Sequence, residues 1–191
     1  MNSLVRHRAG GARVFWVVAR PTNPMSTDAV AVVTGGSCGP GRDIARKLAR
    51  RGYAVAMVYL RDQGHAEAAV QEILAAGGTT VAIRADVADE LDVERLFTET
   101  TAAFGAVDVV VHTTVRGTSV VNERAARQLR HGGAIINVSS TEAIAPVLAD
   151  ELRARDITVN GMAPGLEPPG AQHDIADLIA LLDRWRRSPG K

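Results

Sequence analysis

The segment Thr34-Gly35-Gly36-Ser37-Cys38-Gly39-Pro40-Gly41-Arg42 has the residue types of an anion cradle. Glycine reaches positive φ and lets backbone N–H groups come close to a phosphate, and a helix that follows adds the favourable end of its dipole. The spacing Thr-Gly-x-x-x-Gly-x-Gly is carried by Thr34, Gly35, Gly39 and Gly41. Gly39 to Arg42 is then where a dinucleotide pyrophosphate would rest. Two other readings stand beside this one. A tight strand-to-helix turn needs similar glycines and no ligand. A nucleoside triphosphate loop shares the spacing of Gly36 and Gly41, but Arg42 and Asp43 replace the Lys and Ser/Thr that it needs for phosphates and magnesium.

Such a loop acts only if a strand enters it and a helix leaves it. Ala29 to Val33 is an apolar run that suits a strand buried on both faces, and Ile44, Leu48 and the alanines between them give the next segment a helical stripe. The alternation continues along the chain. Strands are expected at 29–34, 54–60, 80–85, 107–112, 134–139 and 157–160, and helices at 40–51, 65–76, 90–104, 120–130, 146–155 and 174–186. Gly52, Gly77-Gly78, Gly105 and Gly132-Gly133 punctuate the helix ends. Regular alternation predicts an α/β fold with a doubly wound parallel sheet, Rossmann-like and shortened to about six strands. The strand at 157–160 would lie at an edge, where unpaired backbone invites aggregation.

Four further motifs follow the glycine loop in order: Asp86-Val87 after Val81-Ala82-Ile83, Val109-Val110-Val111-His112, Ile135-Ile136-Asn137-Val138-Ser139-Ser140, and Ile157 to Gly165 with Asn160-Gly161 and Pro164-Gly165. With the glycine loop they resemble the short-chain dehydrogenase/reductase family, in segments from about Thr27 to about Trp185. The resemblance implies a Rossmann NAD(P)-binding fold and hydride transfer between a dinucleotide and an alcohol or carbonyl carbon. It also implies that Thr34, Gly35, Ser37, Gly39 and Gly41 form the phosphate loop. Asp86, with Val87, would bond the adenine amino group, Ser140 would polarise a substrate carbonyl, and Pro164-Gly165 would line the nicotinamide.

The chain departs from that pattern where catalysis is concerned. The family's Tyr-x-x-x-Lys pair is absent, because the tyrosines are Tyr53 and Tyr59 and the lysines Lys47 and Lys191. From Ser140 the chain passes almost directly to Val147-Leu148-Ala149-Asp150-Glu151-Leu152-Arg153, which resembles the end of the family's catalytic helix. After His112-Thr113 a similar block is missing, so that Thr114 falls at the position of the family's Asn. A truncated member with internal deletions is expected, its cofactor half largely present. Its activity would be weak or lost. The alternatives are a non-catalytic NADP(H)-binding or partner-binding protein, and the unstable product of a decayed or misassembled gene.

Cofactor choice turns on the end of the second strand of the domain, where a carboxylate selects NAD and a nearby Arg accommodates the 2′-phosphate of NADP. The family's spacing puts Tyr59 at the acidic position and Arg61 two residues on, which favours NADP(H) over NAD(H). Asp62 works against it, and Arg61 as a merely solvated loop residue stays an open reading. His112 is either a general base or a structural residue beneath the cofactor, and the lack of an identifiable Asp or Glu partner argues for the second. No His, Cys or carboxylate pair has metal-ligand spacing, so no metal is expected.

Net charge is +1 with charges scattered, which implies neither nucleic acid nor an anionic membrane as partner. A single cysteine, Cys38, cannot form an internal disulfide, so a reducing, cytoplasmic setting is expected. Cys38 itself reads as a redox-sensitive thiol or, more simply, as a small loop residue. Residues 1–24 carry five Arg or His and no acid, like an organelle transit segment, yet Val14 to Ala19 is too short for a secretory core or a membrane span. The family's chains begin a few residues before the first strand, as Met25 does here. The domain is therefore expected at 25–191, with 1–24 a disordered extension. The shortened interface helices leave the oligomeric state doubtful.

Overall fold

In the computed structural model of the protein, residues 5–9, 12–16, 29–138, 146–161 and 182 are described. In chain order the elements are β1 (Val5–Ala9), β2 (Ala12–Trp16), β3 (Ala29–Val33), α1 (Gly39–Arg50), β4 (Tyr53–Tyr59), α2 (Gln63–Ala75), β5 (Thr79–Arg84), α3 (Glu90–Phe104), β6 (Val109–His112), α4 (Thr118–Gln128), β7 (Ala134–Asn137), α5 (Pro146–Ala154) and β8 (Thr158–Gly161). Six strands form one parallel sheet in the order β5-β4-β3-β6-β7-β8. The direction of strand addition reverses between β3 and β6, which is where open α/β sheets bind ligands.

Strand alternation divides the interior into two cores. Ala29, Ala31 and Val33 face Ile44, Ala45 and Leu48 of α1 with Ala66, Val70 and Ile73 of α2. Val30 and Val32 face Val93, Leu96 and Phe97 of α3, Val121 and Ala125 of α4, and Leu148 and Leu152 of α5. Because both faces are covered, the central strands need apolar residues at every position, and β3 and β4 are buried throughout.

Helix punctuation follows local chemistry. Asp62 caps α2 by accepting the His65 N–H at 2.9 Å, and Asp89 caps α3 by accepting that of Asp92 at 2.9 Å. The expected bounds of α3 coincide with the observed ones, while α4 starts at Thr118 rather than Val120. Its start is set by Gly117, held in the left-handed region by packing against Val87. β6 begins at Val109 rather than 107, since the Asp108 carboxylate accepts the Val30 N–H at 2.7 Å and anchors the strand's entry. The edge strand is β8, which pairs with β7 alone among the described residues and has exposed ends. The helix expected at 174–186 lies outside the described residues except for Leu182, which is helical and buried in the α1-side core.

Within residues 1–24, β1 and β2 pair as an antiparallel ribbon. The register Ala9↔Ala12 demands a two-residue connection.

Candidate functional site

At the sheet's carboxyl edge, the ends of β3 and β6 are tied together by threonines. The Thr113 N–H donates to Thr34 Oγ1 at 3.0 Å, and the Thr113 hydroxyl donates to the Thr34 carbonyl at 2.6 Å. Thr34 Oγ1 lies 2.9 Å from His112 Nδ1, and Thr114 Oγ1 lies 3.4 Å from His112 Nε2. The Thr114 hydroxyl donates to the Arg116 carbonyl at 2.9 Å, so it is free to accept from the ring. With the proton assigned to Nε2, every link has one donor and one acceptor, running from Thr34 through the imidazole to Thr114 and Arg116.

His112 is fully buried, and burial pushes its pKa down to about 4. A neutral ring held at both nitrogens is a structural joint. Among the described residues it has no carboxylate partner, and it is shielded from solvent.

The glycine loop is built by steric necessity at one end and openness at the other. A Cβ on Gly41 would stand 2.3 Å from the Gly35 carbonyl oxygen, and one on Gly35, at φ +63°, would stand 2.6 Å from Thr113 Oγ1. Gly39, at φ +52°, has nothing within 4 Å of where its Cβ would be. Gly35 and Gly41 close the turn, and Gly39 leaves its outer side clear. Ser37 is buried, Cys38 is exposed with a free thiol, and the Cys38 side chain makes no capping bond at the start of α1. α1 begins with no side-chain cap and no acid in its first turn, as α4 also does, whereas α2 and α3 are each capped by an aspartate; only α1 follows the glycine loop. Its first N–H groups are left to a ligand or water, which fits a pyrophosphate there.

Behind the loop, Arg42 donates to Glu72 Oε2 through Nε at 3.2 Å and Nη2 at 2.9 Å, and Arg46 reaches Glu72 Oε1 at 2.8 Å. These bonds hold the Glu72 carboxyl below its ordinary range, Arg46 first and Arg42 next among the causes. They lock the first turn of α1 onto α2. Arg42 is thereby spent on Glu72 rather than on a ligand.

On the far side of the crevice, Tyr59 ends β4 beside Arg84 of β5, nearly buried, and burial raises its phenol pKa. Arg61 just beyond it is exposed and makes no hydrogen bond or ion pair among the described residues. Asp62, which could have opposed it, is engaged by the His65 N–H and lies 2.9 Å from His65 Nδ1. Asp86 follows β5, with Oδ1 accepting the Ala88 N–H at 3.0 Å and Oδ2 2.9 Å from Arg116 Nη2. Val87 is half-buried against the α3-side core.

Thus Thr34, Gly35, Ser37, Gly39, Gly41, His112 and Thr114 gather at the β3 and β6 ends, and Tyr59, Arg61, Asp86 and Val87 at the β4 and β5 ends. Ser140, Pro164 and Gly165 lie outside the described residues. Sequence reasoning missed the clasp by Thr113, the Glu72 bridge and Arg116. The adjacency of Thr113 to a strand end was a usable signal for the first; a bond spanning 30 residues leaves no local signal for the other two. Among the described residues, no group of three His, Cys, Asp or Glu could hold a metal, and no helix is long and apolar enough to cross a membrane.

The comparisons agree with this geometry. The family profile described as short chain dehydrogenase matches residues 29–126. A 3-oxoacyl-(acyl-carrier-protein) reductase of Staphylococcus aureus is 35% identical over 179 positions, covering 71% of this chain and 73% of the relative. An uncharacterised oxidoreductase of Methylorubrum extorquens is 33% identical, covering 71% of this chain and 72% of its own. Among solved structures, a short-chain dehydrogenase from Burkholderia cenocepacia in complex with NADP superposes with TM-score 0.67 at 28% identity, covering 84% of this chain and 91% of that one. A dehydrogenase/reductase from Sinorhizobium meliloti gives TM-score 0.65 at 30% identity over 81% and 87% of the two chains. A parallel six-stranded sheet that opens between β3 and β6, an uncapped helix behind a glycine loop, and these likenesses together place the chain in the short-chain dehydrogenase/reductase family of oxidoreductases.

Proposed function

We propose that the chain binds a dinucleotide, NADP(H) in preference to NAD(H), along the carboxyl edge of the sheet, and that its oxidoreductase activity on an alcohol/carbonyl pair is weak or lost. The observation that carries the binding half is the start of α1, whose N–H groups have no side-chain cap and whose loop is open at Gly39. Thr34, Gly35, Ser37, Gly39 and Gly41 would hold the pyrophosphate, Tyr59 and Arg61 the adenosine ribose, and Asp86 with Val87 the base. His112, Pro164 and Gly165 would border the nicotinamide. The free Arg61 guanidinium, with Asp62 turned to cap α2, supports NADP(H). The domain is taken as 25–191 and the setting as cytoplasmic.

When bound, the nicotinamide supplies or accepts hydride. Hydride addition to a carbonyl carbon leaves an oxygen that needs a proton, and Ser140 can orient that oxygen without supplying the proton as a Tyr/Lys pair does. General acid catalysis is worth roughly 10²- to 10⁴-fold, so the missing Tyr-x-x-x-Lys pair limits turnover. That absence also favours the second reading, a non-catalytic NADP(H)-binding or partner-binding protein.

Fluorescence titration with NADPH and NADH tests the binding. Tighter binding of NADPH, narrowed in Arg61→Ala, is expected; equal affinities unchanged by the mutation would overturn the preference, and no binding of either would overturn the site. A screen of aldehydes, ketones and secondary alcohols, followed by NAD(P)H absorbance, separates the two readings. Robust turnover that Ser140→Ala lowers by more than about a hundredfold, the scale of one lost oxyanion donor, would refute the weak-activity reading.

A further inference from the structure

We infer that Arg116 sets how the base of an adenine nucleotide is read, because it covers the carboxylate of Asp86 that would accept the base's exocyclic amino group. The inference rests on the dinucleotide reading above and deepens it at the adenosine end.

Asp86 has two oxygens with different duties. Oδ1 accepts the Ala88 N–H within its own turn, at 3.0 Å. Oδ2 is the oxygen left for a ligand, and the Arg116 guanidinium is already on it at 2.9 Å. The Arg116 side chain is 65% exposed and that of Asp86 28%, so the guanidinium covers the carboxylate from its solvent side.

Local geometry builds Arg116 into this place. Residues 113–117 alone connect β6 to α4. The Arg116 carbonyl is held by the Thr114 hydroxyl, which is itself the end of the relay through His112. Gly117 takes φ +77°, and a Cβ there would lie 2.1 Å from the Val87 carbonyl oxygen. The corner therefore sits directly on the backbone that follows Asp86. The conformation that brings Arg116 to Asp86 is fixed from both of its sides.

A carboxylate only accepts hydrogen bonds and a guanidinium only donates them. Adenine presents an amino donor at its 6-position, so it must share or displace Arg116 to reach Oδ2. Hypoxanthine presents a carbonyl oxygen at the same position, to which Arg116 donates and which Asp86 alone would repel. With both residues in place, the pair accommodates either purine. Removing the guanidinium turns the position into a pure acceptor, selective for adenine.

The test compares AMP and IMP, which differ at that position, by competition against NADPH with the parent chain, Arg116→Ala and Arg116→Gln, each checked for fold by circular dichroism. An exposed ion pair is weak, so each variant is expected to bind AMP about threefold tighter and IMP about threefold more weakly, moving the AMP/IMP ratio about tenfold. NADPH binding with an AMP/IMP ratio unchanged in both variants, or shifted toward IMP, overturns this inference alone. Absence of NADPH binding by the parent chain overturns the dinucleotide reading and this inference with it.

Discussion

Replacing His112 with Asn isolates one titration in the whole protein. The ring is fully buried and burial pushes its pKa down to about 4 against an ordinary 6.5, because desolvation penalises the imidazolium and no carboxylate among the described residues is hydrogen-bonded to it. The unfolded chain takes up a proton near 6.5 and the folded chain only near 4. The stability linked to His112 is therefore complete above about 6.5 and is lost as pH falls through that window. One pKa unit is 1.36 kcal/mol, so the whole interval amounts to about 3 kcal/mol, a large share of a stability of roughly 5–15 kcal/mol. Protonation of Nδ1 would also put a second donor against the Thr34 hydroxyl, which already has the Thr113 N–H as its donor. Urea unfolding followed by circular dichroism, from about pH 7.5 down to about pH 4.5, measures the effect. His112→Asn keeps a hydrogen-bonding side chain that does not titrate, so its stability should fall less steeply with acid than the parent's. Parallel curves for the two proteins would refute the buried neutral ring.

Other substitutions test the loop and its clasp. Gly41→Ala, whose Cβ meets the Gly35 carbonyl at 2.3 Å, should lower thermal stability and nucleotide binding together. Gly39→Ala meets open space and should keep the fold, losing only about 1 kcal/mol to the left-handed backbone while weakening nucleotide binding; equal melting temperatures for the two variants would show that the loop is not packed in this way. Thr34→Val removes one hydroxyl from two partners, the half-buried Thr113 N–H and the buried His112 Nδ1, and should cost about 1–3 kcal/mol in urea unfolding.

What the sequence reveals and what it hides divide along the range of the interactions. Period and punctuation are local, and they place every sheet strand from β3 to β8 and each of α1 to α5 to within a few residues. The Thr34 to Gly41 loop is legible for the same reason, since the positive φ of Gly35 and Gly39 and the contact of Gly41 with the Gly35 carbonyl are local backbone demands. The roles inside it are less legible. Gly39 and Gly41 look equivalent in the sequence, and only the fold shows that one is filled by the Gly35 carbonyl and the other is open. Asp62 looks like an obstacle to a 2′-phosphate until its oxygens are seen on the start of α2. Arg116 has no sequence signature at all. Its partner is 30 residues away, and their meeting depends on a left-handed Gly117 that only the Val87 backbone explains.

On the reading proposed above, binding and turnover are separable because their supports lie in different parts of the sheet. Among the described residues, the contacts that shape the glycine loop fall within residues 29–118, including the Thr113 clasp, the Gly35 and Gly41 contact, and the Glu72 bridge to Arg42 and Arg46. That region has α1 and α2 on one face and α3 and α4 on the other, with β3 and β4 buried along their whole length. At the opposite end, β8 is an edge strand with Thr158 and Gly161 exposed, and the short chain between β7 and β8 lacks the Tyr/Lys pair. None of these loop contacts among the described residues draws on that stretch of chain. The cradle proposed for a nucleotide therefore rests on contacts outside the β7–β8 region, and a binding assay and a turnover assay probe different parts of the sheet.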